Sequence, residues 1–301
     1  MFNRLLVPLD GSGFGEHALP LALSIARRAE APIELVHVYQ RIGLPDAPAW
    51  TEEIDDKGKQ NAQAYLDETA KRLKPVAPFG VDTSVLEGNI GECLLKHGTR
   101  TGADLIVLTT HGRGPLSRYW LGSVADELVR QATIPLLLIR PQEQAATLTS
   151  DLALRRILIP LDGSSFAEQV LEPAIALGAL MQAEYRLLRI VQPAIDSGSD
   201  SWFSPPLHVP DQDLESQARA YLDRIGERLQ QGNASDMQVH VESAIKPAVA
   251  ILEDAQRAKV DVITLATHGR GGLSRLVLGS VADKVVRATT LPVLLYRPST
   301  G

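Results

Sequence analysis

The stretch Arg4-Leu5-Leu6-Val7-Pro8-Leu9-Asp10-Gly11-Ser12 returns later in the chain as Arg156-Ile157-Leu158-Ile159-Pro160-Leu161-Asp162-Gly163-Ser164. Each copy is a short apolar run that stops at a turn-forming Asp-Gly-Ser. The repetition continues outward. Ala64-Tyr65-Leu66-Asp67 reappears as Ala220-Tyr221-Leu222-Asp223. The window Thr110 to Pro141 aligns without a gap to Thr267 to Pro298, with roughly two-thirds of its positions identical, far beyond chance for a repeat-sized segment. The spacing between copies stays near constant, so the unit of duplication is a whole domain. The expected boundaries are 1–141 and 155–301, joined by a polar, small-residue linker at 142–154. The 301-residue length suits two domains, each large enough for its own core.

Within a copy, short runs rich in Val, Ile and Leu alternate with helical patterns. In the first copy the expected strands are Leu5–Leu9, Ile33–Val38, Thr83–Leu86, Leu105–Thr109 and Leu136–Ile139; amphipathic stretches include His17–Ala29 and Gln60–Leu73. The strands lack polar alternation, as expected when helices cover both faces of a parallel sheet. The fold class is α/β, two doubly wound, Rossmann-like domains. Ligands of such sheets sit outside the carboxyl ends of the strands, where strand order reverses. Two segments, Gln40 to Glu52 and Gln192 to Gln212, are expected to be long and irregular, and such loops are usually functional or mobile. Trp202 and Phe203, in the second of them, either pack the loop onto its own domain or serve as a lid or interface.

Composition removes several classes of function. The chain is 45% hydrophobic and 22% charged with a formal net charge of −6, which argues against a nucleic-acid footprint. Cys93, in a helical pattern, is the single cysteine, so no intramolecular disulfide forms and a reducing compartment is expected. No apolar run approaches a membrane span, and Phe2-Asn3-Arg4 leads straight into the first strand without a leader pattern. A cytoplasmic location is the expectation.

The chemistry is expected after the fourth strand. Copy one reads Thr110-His111-Gly112-Arg113-Gly114 and then Gly122-Ser123-Val124-Ala125-Asp126. Copy two reads Thr267-His268-Gly269-Arg270-Gly271 and then Gly279-Ser280-Val281-Ala282-Asp283. Glycines allow close backbone approach, and successive free N–H groups in such a turn form an anion-binding concavity. The helix that follows offers unpaired N–H groups and a favourable dipole. Arg113 and Arg270 add charge-assisted contacts. Ser-Val-Ala-Asp also fits a capping box, with Ser at N-cap and Asp at N3, found at many helices that bind nothing. The pairing of cap and glycine turn, in both copies, favours an anion site. No Gly-Lys-Ser/Thr follows, so this is not a P-loop with a lysine for phosphoryl transfer. Asp10 and Asp162 end their strands at the switch point, where a carboxylate either accepts from ribose hydroxyls or caps the turn. His111 and His268 lack a carboxylate or cysteine partner at catalytic or metal spacing, and they read as loop histidines.

These motifs resemble the universal stress protein family, once per half over nearly the whole chain. Its ATP-binding members carry G-x-x-G, nine residues, G-(S/T). Gly112 with Gly122-Ser123, and Gly269 with Gly279-Ser280, match the latter part. The leading glycine is replaced by Thr109 in copy one and Ala266 in copy two; Thr109 is bulkier, so the second cradle is expected to be the better one. The resemblance implies a parallel five-stranded sheet in the order 3-2-1-4-5. It places adenine and ribose near Pro8, Leu9 and Asp10, with Pro160, Leu161 and Asp162 as counterparts. Backbone at Val38 and Ile190 reads adenine, and Val124 and Val281 stand beside the phosphates. Of the family's G-x-P, Gly88 keeps the glycine and Pro247 the proline. The implied ligand is ATP or another adenine nucleotide with Mg²⁺, held by a stress-response regulator with slow hydrolysis at most. The implied assembly pairs the domains through Leu136–Ile139 and Val293–Tyr296, with a homodimer of tandem chains beyond that. Alternatives are a slow ATP hydrolase or phosphotransferase using Asp10 or Asp162, or a scaffold with one degenerate site.

Overall fold

The apolar runs become strands buried on both faces. Leu5, Leu6 and Val7 are fully buried, as are Leu105, Ile106 and Val107 on the neighbouring strand. Such runs satisfy their backbone groups only inside a sheet covered by helices. The computed structural model describes residues 2–41, 48–110, 121–149, 151–193, 212–231, 236–267 and 278–297, with side chains for all of these except 48–52.

The first repeat runs β1 (Leu5–Pro8), a 3-10 turn (Gly15–Ala18), α1 (Leu19–Ala29), β2 (Ile33–Tyr39), α2 (Pro48–Leu73), β3 (Val81–Glu87), α3 (Ile90–Thr101), β4 (Leu105–Thr109), α4 (Ser123–Gln131) and β5 (Leu136–Ile139). The second runs β6 (Arg156–Pro160), α5 (Ser165–Glu168), α6 (Leu171–Met181), β7 (Glu184–Val191), α7 (Gln212–Gln230), β8 (Met237–Ser243), α8 (Pro247–Arg257), β9 (Val262–Ala266), α9 (Ser280–Ala288) and β10 (Val293–Tyr296).

The chain divides into two compact units, Met1–Ala153 with Thr290–Gly301, and Leu154–Thr289. In the first unit the strand order is β3-β2-β1-β4-β5. The pairs are parallel, with Leu5 opposite both Ile33 and Leu105, Ile33 opposite Val81 and Ile106 opposite Leu136. This is the doubly wound order expected from the resemblance. β10 counts with this unit and lies antiparallel to β5, Val293 opposite Leu138. In the second unit β8, β7, β6 and β9 repeat the first four places of that order, again parallel.

Two expected boundaries move. The segment Gln40 to Glu52 is not irregular throughout, because α2 already begins at Pro48. Proline suits the first turn of a helix, where its missing N–H leaves no bond unmade. α1 begins at Leu19 rather than His17, because the preceding residues wind into the 3-10 turn and Pro20 opens the helix proper. In the second repeat the long segment's residues 194–211, including Trp202 and Phe203, lie outside the described residues. Among the described residues no helix is long and apolar enough to cross a membrane.

Candidate functional site

β1 and β6 end in the same turn. Ser12 donates its N–H and its hydroxyl to Asp10 Oδ1 at 2.9 and 2.6 Å, and its Oγ in turn accepts from Gly15 N at 3.2 Å. Ser164 does the same to Asp162 Oδ1 at 2.9 and 2.6 Å, and accepts from Ala167 N at 3.1 Å. Gly11 and Gly163 sit at φ values of 81° and 83°, a left-handed conformation that disfavours other residues. The turn-forming role of the aspartates is therefore present, and it fixes one carboxylate oxygen while orienting the group at the end of its strand.

The helices after the fourth strands begin without side-chain caps. Gly122 is the N-cap of α4 and Gly279 that of α9. The capping box expected at Ser123 and Ser280 is absent, and each serine is already the first helical residue. Asp126 and Asp283 instead reach one turn onward, to Arg130 at 2.7 Å and Arg287 at 2.8 Å. The first N–H groups of a helix have no intrahelical partner, and Gly at the N-cap brings no side chain to meet them. These groups and the helix dipole face the mouth of the cleft, the arrangement that suits an anion. The loop ends are pinned alike, Gly122 N donating to Thr110 O at 2.8 Å and Gly279 N to Thr267 O at 2.7 Å. The turn residues His111, Gly112, Arg113 and Gly114, and likewise His268, Gly269, Arg270 and Gly271, lie outside the described residues.

In the first repeat these elements surround a cavity of about 680 Å³. Pro8, Leu9, Asp10 and Gly11 form one side; His37, Val38, Tyr39 and Gln40 continue from the end of β2. Asn61 and Tyr65 close it from α2, and Ile90 and Leu94 from α3. Thr109, Thr110, Gly122, Ser123 and Val124 complete the phosphate-side wall. The volume is that of an ordinary small-molecule site. Thr109, expected to crowd this cradle, lines the cavity without filling it. Asp10 is the one carboxylate in the lining among the described residues. The second repeat places Pro160, Leu161 and Asp162 at the end of β6, Ile190 on β7, Ala266 at the end of β9, and Ser280 and Val281 at the start of α9.

Several lining residues escaped the motif reading. Tyr65 donates to Glu16 Oε1 at 3.1 Å, and Arg72 donates to the same oxygen at 2.7 Å. Tyr221 and Arg228 likewise hold Glu168, donating to Oε1 at 3.1 Å and to Oε2 at 2.9 Å. Burial first, and then the charge of the partnered glutamate, pushes both tyrosine hydroxyls well above the ordinary range. They stay neutral donors, and Tyr65 is thereby locked as a wall of the cavity. The doubled Ala-Tyr-Leu-Asp was their sequence signal. Tyr39 is held by Asp55, with its hydroxyl donating at 2.9 Å. His37 turns back to the Leu9 carbonyl, 2.8 Å from Nδ1.

One group of metal-ligand residue types occurs among the described residues, His240, Glu242 and Asp254. Arg186 already binds Asp254 with two bonds of 2.7 Å, and Arg257 pairs with Glu242. Two guanidinium groups on the same carboxylates make this an ion-pair network, ill suited to a cation.

The sequence matches the universal stress protein family over residues 1–140 and 153–297. A universal stress protein of Mycolicibacterium smegmatis is 29% identical over 304 residues, covering 98% of this chain and 97% of the relative. Among solved structures, a universal stress protein from Archaeoglobus fulgidus superimposes with a TM-score of 0.70 at 18% identity, covering 99% of both chains. A putative one from Pseudomonas aeruginosa gives 0.69 at 19% identity, covering 99% of this chain and 94% of that one. The chain belongs to the universal stress protein family, with two family domains in tandem.

Proposed function

We propose that this protein is an adenine-nucleotide-binding regulator of the stress response, with ATP or a related adenylate held in the cleft of its first repeat. The observation that carries the reading is the cavity of about 680 Å³ at the carboxyl ends of β1, β2 and β4, one wall of which is an uncapped helix N-terminus. In this reading the base and ribose lie between the end of β2 and the Asp10 turn. The phosphates meet the N–H groups at Ser123 and Val124, where the helix dipole favours negative charge. The neutral Tyr65 hydroxyl and the Asn61 amide form the opposite wall.

Mg²⁺ fits the same arrangement. It is a hard cation that takes oxygen ligands, and Asp10 supplies a carboxylate beside the phosphate positions. When bound, the ion would neutralise phosphate charge. The described groups orient and neutralise a ligand. Asp10 is tied to Ser12 through Oδ1, which suits binding more than turnover.

The test is to denature the purified protein and chromatograph what it releases, then to titrate emptied protein with ATP in a calorimeter. An adenylate released, or ATP bound, is the expected outcome. An empty protein that also ignores ATP would overturn the reading.

A further inference from the structure

The two repeats place matching residues after β1 and β6 and differ in what lies between them and the helices α2 and α7. Gly11 and Tyr65 both line the open cavity of the first repeat. Their counterparts in the second repeat are Gly163 and Tyr221, and both of these touch one side chain, Arg189. Its guanidinium carbon stands 4.9 Å from the centre of the Tyr221 ring. A Cβ placed on Gly163 would come within 2.7 Å of Arg189 Nη1 and 2.9 Å of its Cζ. The guanidinium therefore spans from the turn after β6 to the wall on α7.

The residue at the matching place in the first repeat is His37. The registers establish the match, since Leu5 faces Ile33 while Ile157 faces Tyr185. His37 is shorter and bends back to Leu9, which leaves the space between Gly11 and Tyr65 open. Arginine is longer, planar and permanently charged, and it stacks well on an aromatic face. It thus occupies the space between turn and helix whose counterpart stays open in the first repeat. Its charge also lies beside Asp162, the residue preceding Gly163, whose counterpart Asp10 would receive the ribose hydroxyls.

We infer that Arg189 is the specificity-determining residue of the second cleft, excluding the nucleoside there and leaving the chain with one adenine-nucleotide site. The inference rests on the reading of the first cleft as a nucleotide site. It also reverses the preference for the second cleft that Ala266 suggested, because a small residue at the end of β9 does not help a ligand whose sugar position is filled. The phosphate end of the second cleft keeps its uncapped helix, so what Arg189 withholds is room for the nucleoside.

The test is ATP stoichiometry by calorimetry on three full-length proteins. The wild type is expected to bind one ATP per chain. Arg189→His, which installs the residue of the first cleft, is expected to bind two. His37→Arg, the reverse exchange, is expected to bind none. If Arg189→His loses its helical circular dichroism, Arg189→Met is read in its place, since it keeps the apolar stem and drops the charged fork. Two ATP in the wild type, one of them removed by Asp162→Asn, would overturn the inference and leave the first cleft's reading intact. A folded Arg189 variant that still binds one, or His37→Arg that still binds one, would overturn it too. No ATP in the wild type would sink the first-cleft reading itself, and this inference with it.

Discussion

The two repeats put opposite chemistry at the same buried place. In the first, Glu34 on β2 meets His97 on α3 at 2.5 Å, with side-chain exposures of 4% and 5%. Arg100 donates to His97 Nδ1 at 2.9 Å, so Nε2 carries the proton that His97 donates to Glu34. In the second, the strand residue is Arg186 and the helix residue is Asp254, joined by two bonds of 2.7 Å. The carboxylate has moved from strand to helix. A similar exchange occurs in size. Ala26 and Ile33 of the first repeat correspond to Gly178 and Tyr185 of the second, where the Tyr185 ring lies against the glycine. The repeats therefore preserve the sum of each contact rather than its members: one charge-assisted link, one filled volume. The Glu-Tyr-Arg ladder beside the cleft, by contrast, is kept residue for residue.

The largest way to break this comparison is Asp254→Ala. Arg186, half-buried, would keep Gln238 but lose its carboxylate partner, and losing one partner of a buried pair costs at most about 3–5 kcal/mol. Urea unfolding should show the midpoint falling accordingly. Installing the second repeat's pair in the first, as Glu34→Arg with His97→Asp, should restore most of what either single change loses. The first pair also has a pH signature. Burial alone would raise the Glu34 pKa, but hydrogen bonds from His97 and Ser84, with the positive charge of Arg4 nearby, hold it below the ordinary 4.5. A carboxylate depressed in the folded state contributes stability that is present above its unfolded pKa and lost as pH falls through the folded value. Stability measured down from pH 4.5 should therefore fall less in Glu34→Gln than in the wild type.

Next in size is Gly178→Ala. In a helix interior this change usually stabilises by about 1 kcal/mol. Here the new methyl meets the Tyr185 ring, and overpacking costs about 1–3 kcal/mol, so the net sign should be destabilising. Adding Tyr185→Ile, the first repeat's combination, should recover it. Thermal unfolding of the single and double variants decides the matter. The smallest effects belong to the ladder that does not vary. Tyr65→Phe and Tyr221→Phe each remove one hydrogen bond, worth about 0.5–1.5 kcal/mol, and the two losses should be similar.

Much of the fold was legible because Leu5–Pro8, Leu105–Thr109 and Leu136–Ile139 are apolar on both faces and bounded by turns. The start of α2 was not, since Pro48 sits among residues that read as loop. The glycine-serine start of α4 was read correctly as a helix N-terminus. The expected capping box failed because Gly122, which has no side chain, takes the N-cap place and Ser123 is already helical. Tyr65, His37 and Arg189 were missed as cleft residues. They lie far from the glycine signature in sequence, and only the parallel register brings them to it. The charge exchange between Glu34–His97 and Arg186–Asp254 was likewise hidden, since neither residue type recurs at the matching position.

The central claim is that the uncapped start of α4 in the first repeat receives a nucleotide's phosphates. Gly122→Val tests it most directly, because the φ of −60° and ψ of 151° at Gly122 suit any residue, so the valine alters the cradle without straining the chain. Equilibrium dialysis with ATP should give binding to the wild type and at least a tenfold weaker affinity for the variant. ATP affinity unchanged by Gly122→Val would contradict the account.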